Sequence, residues 1–313
     1  MRREISLRLK TRGIKKRVIL VLLFFFFFIT VNGFFIYTVN PSNSYFNIIK
    51  KIIPYPAIII GRDIVTMARY EDEIILNKRL YEEVYKINFE EEGEGDKIKD
   101  IKKIVKDEFI NAYIMNRVLD TIGVEVSKKE INEEYEKIIN DLGGREEMKD
   151  ILQFTAGWRE SDLKKKIYLS ILEEKIKESI IYQVKIDVIS IIPDSIGNEG
   201  EWVIAEEEAR VIYNKILEGE ITFSGAKNQF GSDNFLLVNN DEKYYYLDEF
   251  PDNLKDIVLS LEVGEVSEPV ETDSGYHILK LEEERGYYRG ELEDFLMEQR
   301  AKFRIWTFAP GEY

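Results

Sequence analysis

The side chains that could do chemistry in this 313-residue chain centre on one histidine. His277 is the single histidine, in the run Gly275-Tyr-His-Ile278, and the chain contains no cysteine. Disulfides and sites built from thiolates or several histidines, zinc sites included, are therefore excluded. A Ser-His-Asp triad would have to use His277, but the chain lacks a Gly-x-Ser-x-Gly elbow and a phosphate-binding glycine loop. We therefore expect chemistry built around one imidazole, with neither a cofactor nor a metal.

Short strands and turns are predicted on both sides of His277. A helix end and a tight turn fit Leu261-Glu-Val-Gly-Glu-Val-Ser267, and two strands, Pro269-Val270 and Tyr276–Leu281, are hinged at Asp273-Ser-Gly275. Upstream, apolar β-branched residues predict an opening strand. Amphipathic spacing predicts helices, so that the order is strand 184–191, helices 206–217 and 223–230, strand 244–246 and helix 252–261. Separated helices and antiparallel strands indicate an α+β domain.

The run Thr272-Asp-Ser-Gly-Tyr-His-Ile278, together with the turn before it, resembles the C-terminal third of the parvulin family of peptidyl-prolyl isomerases. The resemblance implies catalysed rotation about an X-Pro amide, whose barrier is about 18–20 kcal/mol. It also implies an apolar pocket for the proline ring, floored by two histidines beside a Cys or an Asp. Carried over by motif, the pocket residues are Phe250 and Leu254, the acidic residue is Asp233 and the second histidine is His277.

The sequence departs from the parvulin pattern at two places. The family's first histidine opens a His-Ile-Leu-Val-like phrase, and in the matching strand Val188 takes its place. The family's Gly-Gly-Asp-Leu-Gly loop is replaced by residues 234–244. Isomerase activity is therefore expected to be weak or lost. Structural roles stay open for all four candidates, with His277 as a core histidine, Asp233 as a helix-end carboxylate, and Phe250 and Leu254 as core residues.

A second segment, residues 56–181, is predicted to be helical. A long helix is expected over 98–122, and Ser127-Lys-Lys-Glu130 has the spacing of a capping box for the next helix. The opening run 56–64 and the phrase 119–131 resemble the chaperone domain of SurA- and PrsA-type foldases, which commonly open with an apolar strand, a glycine turn and a helix. The alternative is an amphipathic helix bundle without that relationship.

The first 40 residues have the pattern of a membrane anchor. Residues 1–17 carry eight basic side chains and one acidic one, and residues 18–39 contain no charge. A 22-residue apolar helix is long enough to span a bilayer, and the basic flank predicts a cytoplasmic N-terminus with the bulk of the chain outside. A cleaved signal peptide would have a shorter apolar region and a small-residue cleavage site. The other alternative is a buried core helix.

Charge limits the partners. The chain carries −15 overall and +7 in its first 17 residues, which leaves −22 for the remainder. Such an acidic body does not favour nucleic acid, because phosphate contacts need Lys and Arg. It suits unfolded clients that are neutral or basic.

These observations predict a membrane-anchored extracytoplasmic foldase and chaperone that binds unfolded exported polypeptides and carries a parvulin-like isomerase domain. The alternatives are a non-catalytic holdase with a degenerate parvulin domain, or a single-pass envelope interaction protein. The predicted parts are a basic cytoplasmic tail 1–17, a transmembrane helix 18–39, a linker 40–55, a helical chaperone-like domain 56–181, a parvulin-like domain 182–284 and a C-terminal helix 285–313.

Overall fold

The structure of the protein, a computed structural model, describes residues 2–39, 43–89, 95–230 and 243–309. It divides into two compact units: unit 1, Met1–Leu172 with Glu298–Tyr313, and unit 2, Glu173–Met297. Helices and strands are both present, and the predicted α+β class is confirmed.

Unit 1 opens with two helices of different character. They are α1 (Arg2–Thr38) and α2 (Ser44–Ile52). Within the described chain, Ile19–Thr38 is the one stretch long and apolar enough to cross a membrane, judged by length and composition. Asn43 caps α2, because its Oδ1 accepts a hydrogen bond from the Phe46 amide at 3.2 Å.

The body of unit 1 is helical, with a small sheet. The elements are β1 (Pro56–Ile60), β2 (Asp63–Thr66), α3 (Met67–Glu83), α4 (Gly95–Ile122), α5 (Lys128–Asp141), α6 (Arg145–Ala156), α7 (Glu160–Ile180) and, after unit 2, β7 (Ile305–Thr307). The sheet order is β2-β1-β7, with both pairings antiparallel. Strand β2 was not predicted. The chain turns at Gly61 and pairs back on β1 before α3 begins.

The capping box at the start of α5 is confirmed. The Ser127 hydroxyl accepts a hydrogen bond from the Glu130 amide at 3.2 Å, and the Glu130 carboxylate accepts one from the Ser127 amide at 2.8 Å. Two backbone donors that the helix leaves without partners are thus satisfied reciprocally. The helices bury Ile110, Ile114 and Leu119, the apolar side of α4.

Unit 2 holds a four-stranded sheet in the order β4-β3-β6-β5. The described elements are β3 (Gln183–Ile191), α8 (Glu199–Leu217), α9 (Phe223–Phe230), β4 (Tyr245–Tyr246), a 3₁₀ turn (Leu247–Glu249), α10 (Asp252–Ser260), β5 (Val270–Thr272), β6 (Gly275–Arg285) and α11 (Leu292–Arg300). The last of these runs from unit 2 into unit 1. The helix predicted within 285–313 is α11, and strand β7, which was not predicted, follows it.

The two faces of this sheet are covered by different helices. On one face, Ile189 and Ile278 pack with residues of α8 and α9, including Ala209 and Ala226. On the other face, Val188 and Leu279 pack with residues of α10 and the segment before it. Alternation along β3 and β6 places His277 on this second face, because Val188 is paired with Leu279 and Ser190 with His277.

Candidate functional site

His277 lies inside the sheet of unit 2. The side chain is 0% exposed, and its strand β6 is flanked by β3 and β5. Across the sheet its register partners are Ser190 on β3 and Val270 on β5. Backbone pairing on both sides therefore fixes the position of the strand that carries the imidazole.

Three hydroxyl groups surround the imidazole. Nδ1 lies 3.0 Å from Ser190 Oγ, and Nε2 lies 2.7 Å from Thr272 Oγ1 and 3.2 Å from Ser274 Oγ. Burial lowers the pKa of His277 from its ordinary 6.5 to about 4. At neutral pH the ring is therefore neutral, so one nitrogen donates a hydrogen bond and the other accepts one.

The turn before His277 requires a glycine. Gly275 has a φ of 143°, and a Cβ at this position would lie 2.4 Å from the carbonyl oxygen of Ile191. The close approach lets β6 pair with the end of β3, which brings Ser190 opposite His277. The Thr272 hydroxyl also accepts a hydrogen bond from the Ser274 amide at 3.2 Å and so fixes the turn.

The residue that faces His277 from the opening strand is Ser190, not Val188. Val188 is paired with Leu279 and is buried in the apolar cluster of the second face. Val188, which the sequence matched to the family's first histidine, therefore does not face His277, and Ser190, two residues further along β3, does. Ser190-Ile-Ile-Pro193 also fits a His-Ile-Leu-Val-like phrase, and this was the signal available in the sequence.

Phe250 and Leu254 belong to one closed apolar cluster. They are 3% and 0% exposed, and they pack with Tyr245, Val258 and Leu279. Leu254 lies on α10, and Phe250 comes two residues before that helix begins. The structure thus brings both residues together on the sheet face that carries His277, but leaves them little surface for a ligand.

Asp233 lies outside the described residues, as do residues 234–242 of the segment 234–244 that replaces the family's glycine-rich loop. The structure therefore places three of the four predicted site residues. Among the residues it describes, no group of three or more His, Cys, Asp or Glu side chains could hold a metal ion.

A cavity of about 380 Å³ lies elsewhere in unit 2 and was not predicted. Tyr182, Tyr246 and Leu247 contribute apolar surface, and Lys255 and Arg289 contribute charge. Tyr182 immediately precedes β3 and Ser190 lies near its end. At about 3.3 Å per residue, the cavity and the His277 site are about 25 Å apart. Its residues come from four separated segments, so no local motif marks it.

Comparison with known proteins supports the interpretation of unit 2. Residues 191–283 match the Rotamase family model, described as a PPIC-type PPIASE domain. The chain is 27% identical to foldase protein PrsA 4 of Bacillus cereus over 64% of this chain and 73% of that protein. It is 22% identical to chaperone SurA of Legionella pneumophila over 74% of this chain and 58% of that protein.

Among solved structures, the peptidylprolyl isomerase PrsA of Bacillus anthracis aligns with a TM-score of 0.28 and 20% identity. The alignment covers 62% of this chain and 85% of that one. The family match and the curated relatives confirm the predicted parvulin-type domain and support an extracytoplasmic foldase.

Proposed function

We propose that this parvulin-type foldase, similar to PrsA and SurA, binds unfolded exported polypeptides outside the cytoplasm and is held at the membrane by residues 18–39. The match of residues 191–283 to the rotamase family carries the proposal. The helical segment 56–181 is the proposed client-binding domain, and 182–284 is the proposed parvulin-like domain.

Catalysis by this site would involve no proton transfer. Rotation about an X-Pro amide breaks no covalent bond, so a catalyst needs to favour the twisted amide over the planar one. The neutral imidazole of His277 and the hydroxyl groups of Ser190 and Thr272 form a polar floor for such a site. The proposed acidic group, Asp233, would complete it.

Two observations favour a weak isomerase or a pure holdase. The residue that faces His277 from the opening strand is Ser190, so a serine-histidine pair lies where the parvulin resemblance implies a histidine pair. Phe250 and Leu254 are enclosed, so contact with a proline ring requires their cluster to open. The cavity beside Tyr182 and Tyr246 offers an extended client segment mixed apolar and charged contacts instead.

A single preparation of residues 42–313 tests both activities. We expect it to suppress aggregation of a denatured model protein and to accelerate exchange of an X-Pro peptide slightly. Leu254→Ala should lower the exchange rate more than His277→Gln, because binding in the apolar pocket limits the reaction. Circular dichroism of each variant checks that it is folded.

The outcomes separate the hypotheses. Aggregation suppression without any exchange above the uncatalysed rate supports the holdase and removes the enzyme. Absence of suppression by a folded sample counts against both and favours an envelope interaction protein. If His277→Gln abolishes exchange while Leu254→Ala spares it, the proposed pocket is wrong.

The proposed topology places the N-terminus in the cytoplasm and residues 45–313 outside. Protease added to intact spheroplasts should therefore digest residues 45–313. Full protection of that region would contradict the topology.

A further inference from the structure

The outer half of α1 is bound along its length by the segment that follows it. The Tyr55 hydroxyl donates a hydrogen bond to the carbonyl oxygen of Ile29 at 2.8 Å, and the Tyr37 hydroxyl donates one to the carbonyl oxygen of Pro56 at 3.0 Å. A Cβ on Gly33 would lie 3.0 Å from the Tyr55 ring. From Ile29 onward one side of α1 is thus packed, with Asn32, Gly33 and Ile36 buried, whereas Ile19 to Phe27 are exposed.

This packing overlaps the part of α1 that must cross the bilayer. The apolar stretch Ile19–Thr38 has 20 residues, and a hydrocarbon core of roughly 30 Å needs about that number. At 1.5 Å per residue, Ile29 lies about 13 Å from the outer end of the stretch. The partners of Ile29 and Gly33 therefore lie at the depth of the outer leaflet when α1 spans a membrane.

A polar side chain inside the stretch supports this depth. Asn32 is 5% exposed, and its Nδ2 donates a hydrogen bond to the Phe28 carbonyl oxygen at 2.8 Å. Its Oδ1 accepts a hydrogen bond from the Tyr45 hydroxyl at 3.0 Å. A polar group without a hydrogen-bond partner is strongly disfavoured in hydrocarbon. Tyr45 of α2 therefore supplies Asn32 with a hydrogen-bond donor, which acyl chains cannot provide.

The exposed side of α2 is divided into an apolar stripe and a polar stripe. Tyr45, Ile48 and Ile52 are 49%, 57% and 71% exposed and follow one another at helical spacing. The neighbouring exposed stripe is polar and consists of Ser44, Asn47 and Lys51. The remaining side, with Ile49, is buried in unit 1. Two such adjacent stripes are typical of a helix at a membrane interface.

We propose that α2 binds the lipid bilayer as a wedge in the outer leaflet beside α1. Its apolar stripe, Tyr45, Ile48 and Ile52, faces acyl chains, and its polar stripe, Ser44, Asn47 and Lys51, faces head groups and water. The partner is a phospholipid bilayer, because the surface is continuous with the candidate span. The inference rests on the membrane anchoring in the proposed function.

The absence of native cysteine makes site-directed labelling direct. The full chain, carrying a spin label at Ile48→Cys or Ile52→Cys, is reconstituted in phosphatidylcholine and phosphatidylglycerol vesicles. Asn47→Cys and Lys51→Cys are the matched controls on the polar stripe, and Phe26→Cys reports the span. Power saturation then compares oxygen, which partitions into lipid, with a water-soluble nickel chelate.

We expect the ratio of oxygen to nickel accessibility at Ile48 and Ile52 to approach that at Phe26 and to exceed that at Asn47 and Lys51 several-fold. Equal ratios on both stripes, with Phe26 still in lipid, would overturn the wedge while leaving the anchor intact. A nickel-accessible label at Phe26 would overturn the anchor and the wedge together. Spin-spin broadening with low accessibility to both reagents at Ile48 would assign the stripe to a second copy of the chain and overturn lipid binding.

Discussion

Two buried polar sites in this protein are stabilised in opposite ways. In unit 2, His277 is neutral, and hydroxyl groups surround it. In unit 1, Glu73 of α3 is nearly as buried but is charged. It forms a salt bridge with Lys165 and another with Lys166 at 3.1 Å, and Lys166 also reaches Glu108 at 2.7 Å.

The difference shows how each site meets the desolvation of its titratable group. Burial alone would raise the pKa of Glu73, but hydrogen bonds and charges of Lys165 and Lys166 outweigh it, and the pKa lies below its usual value. Burial of His277 lowers its pKa to about 4. Glu73 stays charged because it is paired with lysines, whereas His277 is neutral at neutral pH because burial disfavours its charged form.

The largest expected effect comes from removing the carboxylate of Glu73. Glu73→Ala removes a carboxylate partner from Lys165 and Lys166, which are 28% and 26% exposed. The loss should therefore lie near the lower end of the about 3–5 kcal/mol that breaking a buried ion pair costs. Chemical denaturation of the full chain measures the change. Glu82→Ala is the control, because the Lys78–Glu82 pair on α3 is exposed and is expected to contribute less than about 1 kcal/mol. Equal losses in the two variants would mean that Glu73 is not stabilised as a buried charge.

The second prediction concerns acid sensitivity. In the unfolded chain His277 becomes protonated below pH 6.5. In the folded protein it becomes protonated only near pH 4. The free energy of unfolding should therefore be unaffected by this group above pH 6.5. It should fall by about 3 kcal/mol between pH 6.5 and 4.

His277→Gln isolates this contribution. Because the pKa of Glu73 is depressed, its contribution is present above about pH 4.5 and is lost only at lower pH. The difference between wild type and His277→Gln from pH 6.5 to 5 therefore belongs to the histidine. An unchanged pH dependence in the variant would show that the pKa of His277 is the same in the folded and the unfolded protein.

A smaller effect is expected from Ser190→Ala. The change leaves Nδ1 of His277 buried without its hydroxyl partner at 3.0 Å, and an unsatisfied buried group costs about 1–3 kcal/mol. Ser260→Ala is the matched control, because Ser260 is exposed at the end of α10 and its hydroxyl donates only to the carbonyl oxygen of Ile257. A loss no greater than that of the control would remove Ser190 from the histidine network.

The smallest effect is expected from Thr272→Val. Ser274 Oγ lies 3.2 Å from the same nitrogen, so Nε2 keeps a partner and the loss should be about 1 kcal/mol. Thr272→Ser keeps the hydroxyl and should remain near wild type. Thermal unfolding of both variants measures the effect. A larger loss for Thr272→Val than for Ser190→Ala would show that the Thr272 hydroxyl, which also accepts a hydrogen bond from the Ser274 amide in the turn, contributes more than Ser190 does.

The sequence located His277 but not its partner. A single histidine in Gly275-Tyr-His-Ile278 is visible locally, and the strands around it follow from alternation. The pairing of β3 with β6 shifts between Lys185 and Ile186, and only the folded sheet shows that Ser190 is opposite. Side chains two residues apart on a strand point to the same face of the sheet. Alternation in the sequence therefore could not distinguish Val188 from Ser190 as the residue opposite His277.

The Glu73 site gave no sequence signal for a related reason. Glu73 and Lys165 are 92 residues apart, so helical spacing within α3 or α7 does not indicate their contact. Phe250 and Leu254 were recognised as apolar positions, but their closure depends on packing among α10, β3 and β6. Local patterns therefore predicted helices and strands well, but they did not predict contacts between residues that are far apart in the sequence.

The pairing of β7 with β1 has a consequence for synthesis and export. Ile305–Thr307 pair with Ile58–Ile60, so the central strand of the unit 1 sheet receives its second neighbour only after all of unit 2 has been made and exported. Unit 2 is one continuous stretch of chain, so its folding does not depend on a segment that is made later. On a chain delivered from its N-terminus, unit 2 can therefore finish folding before the sheet of unit 1 is closed by β7.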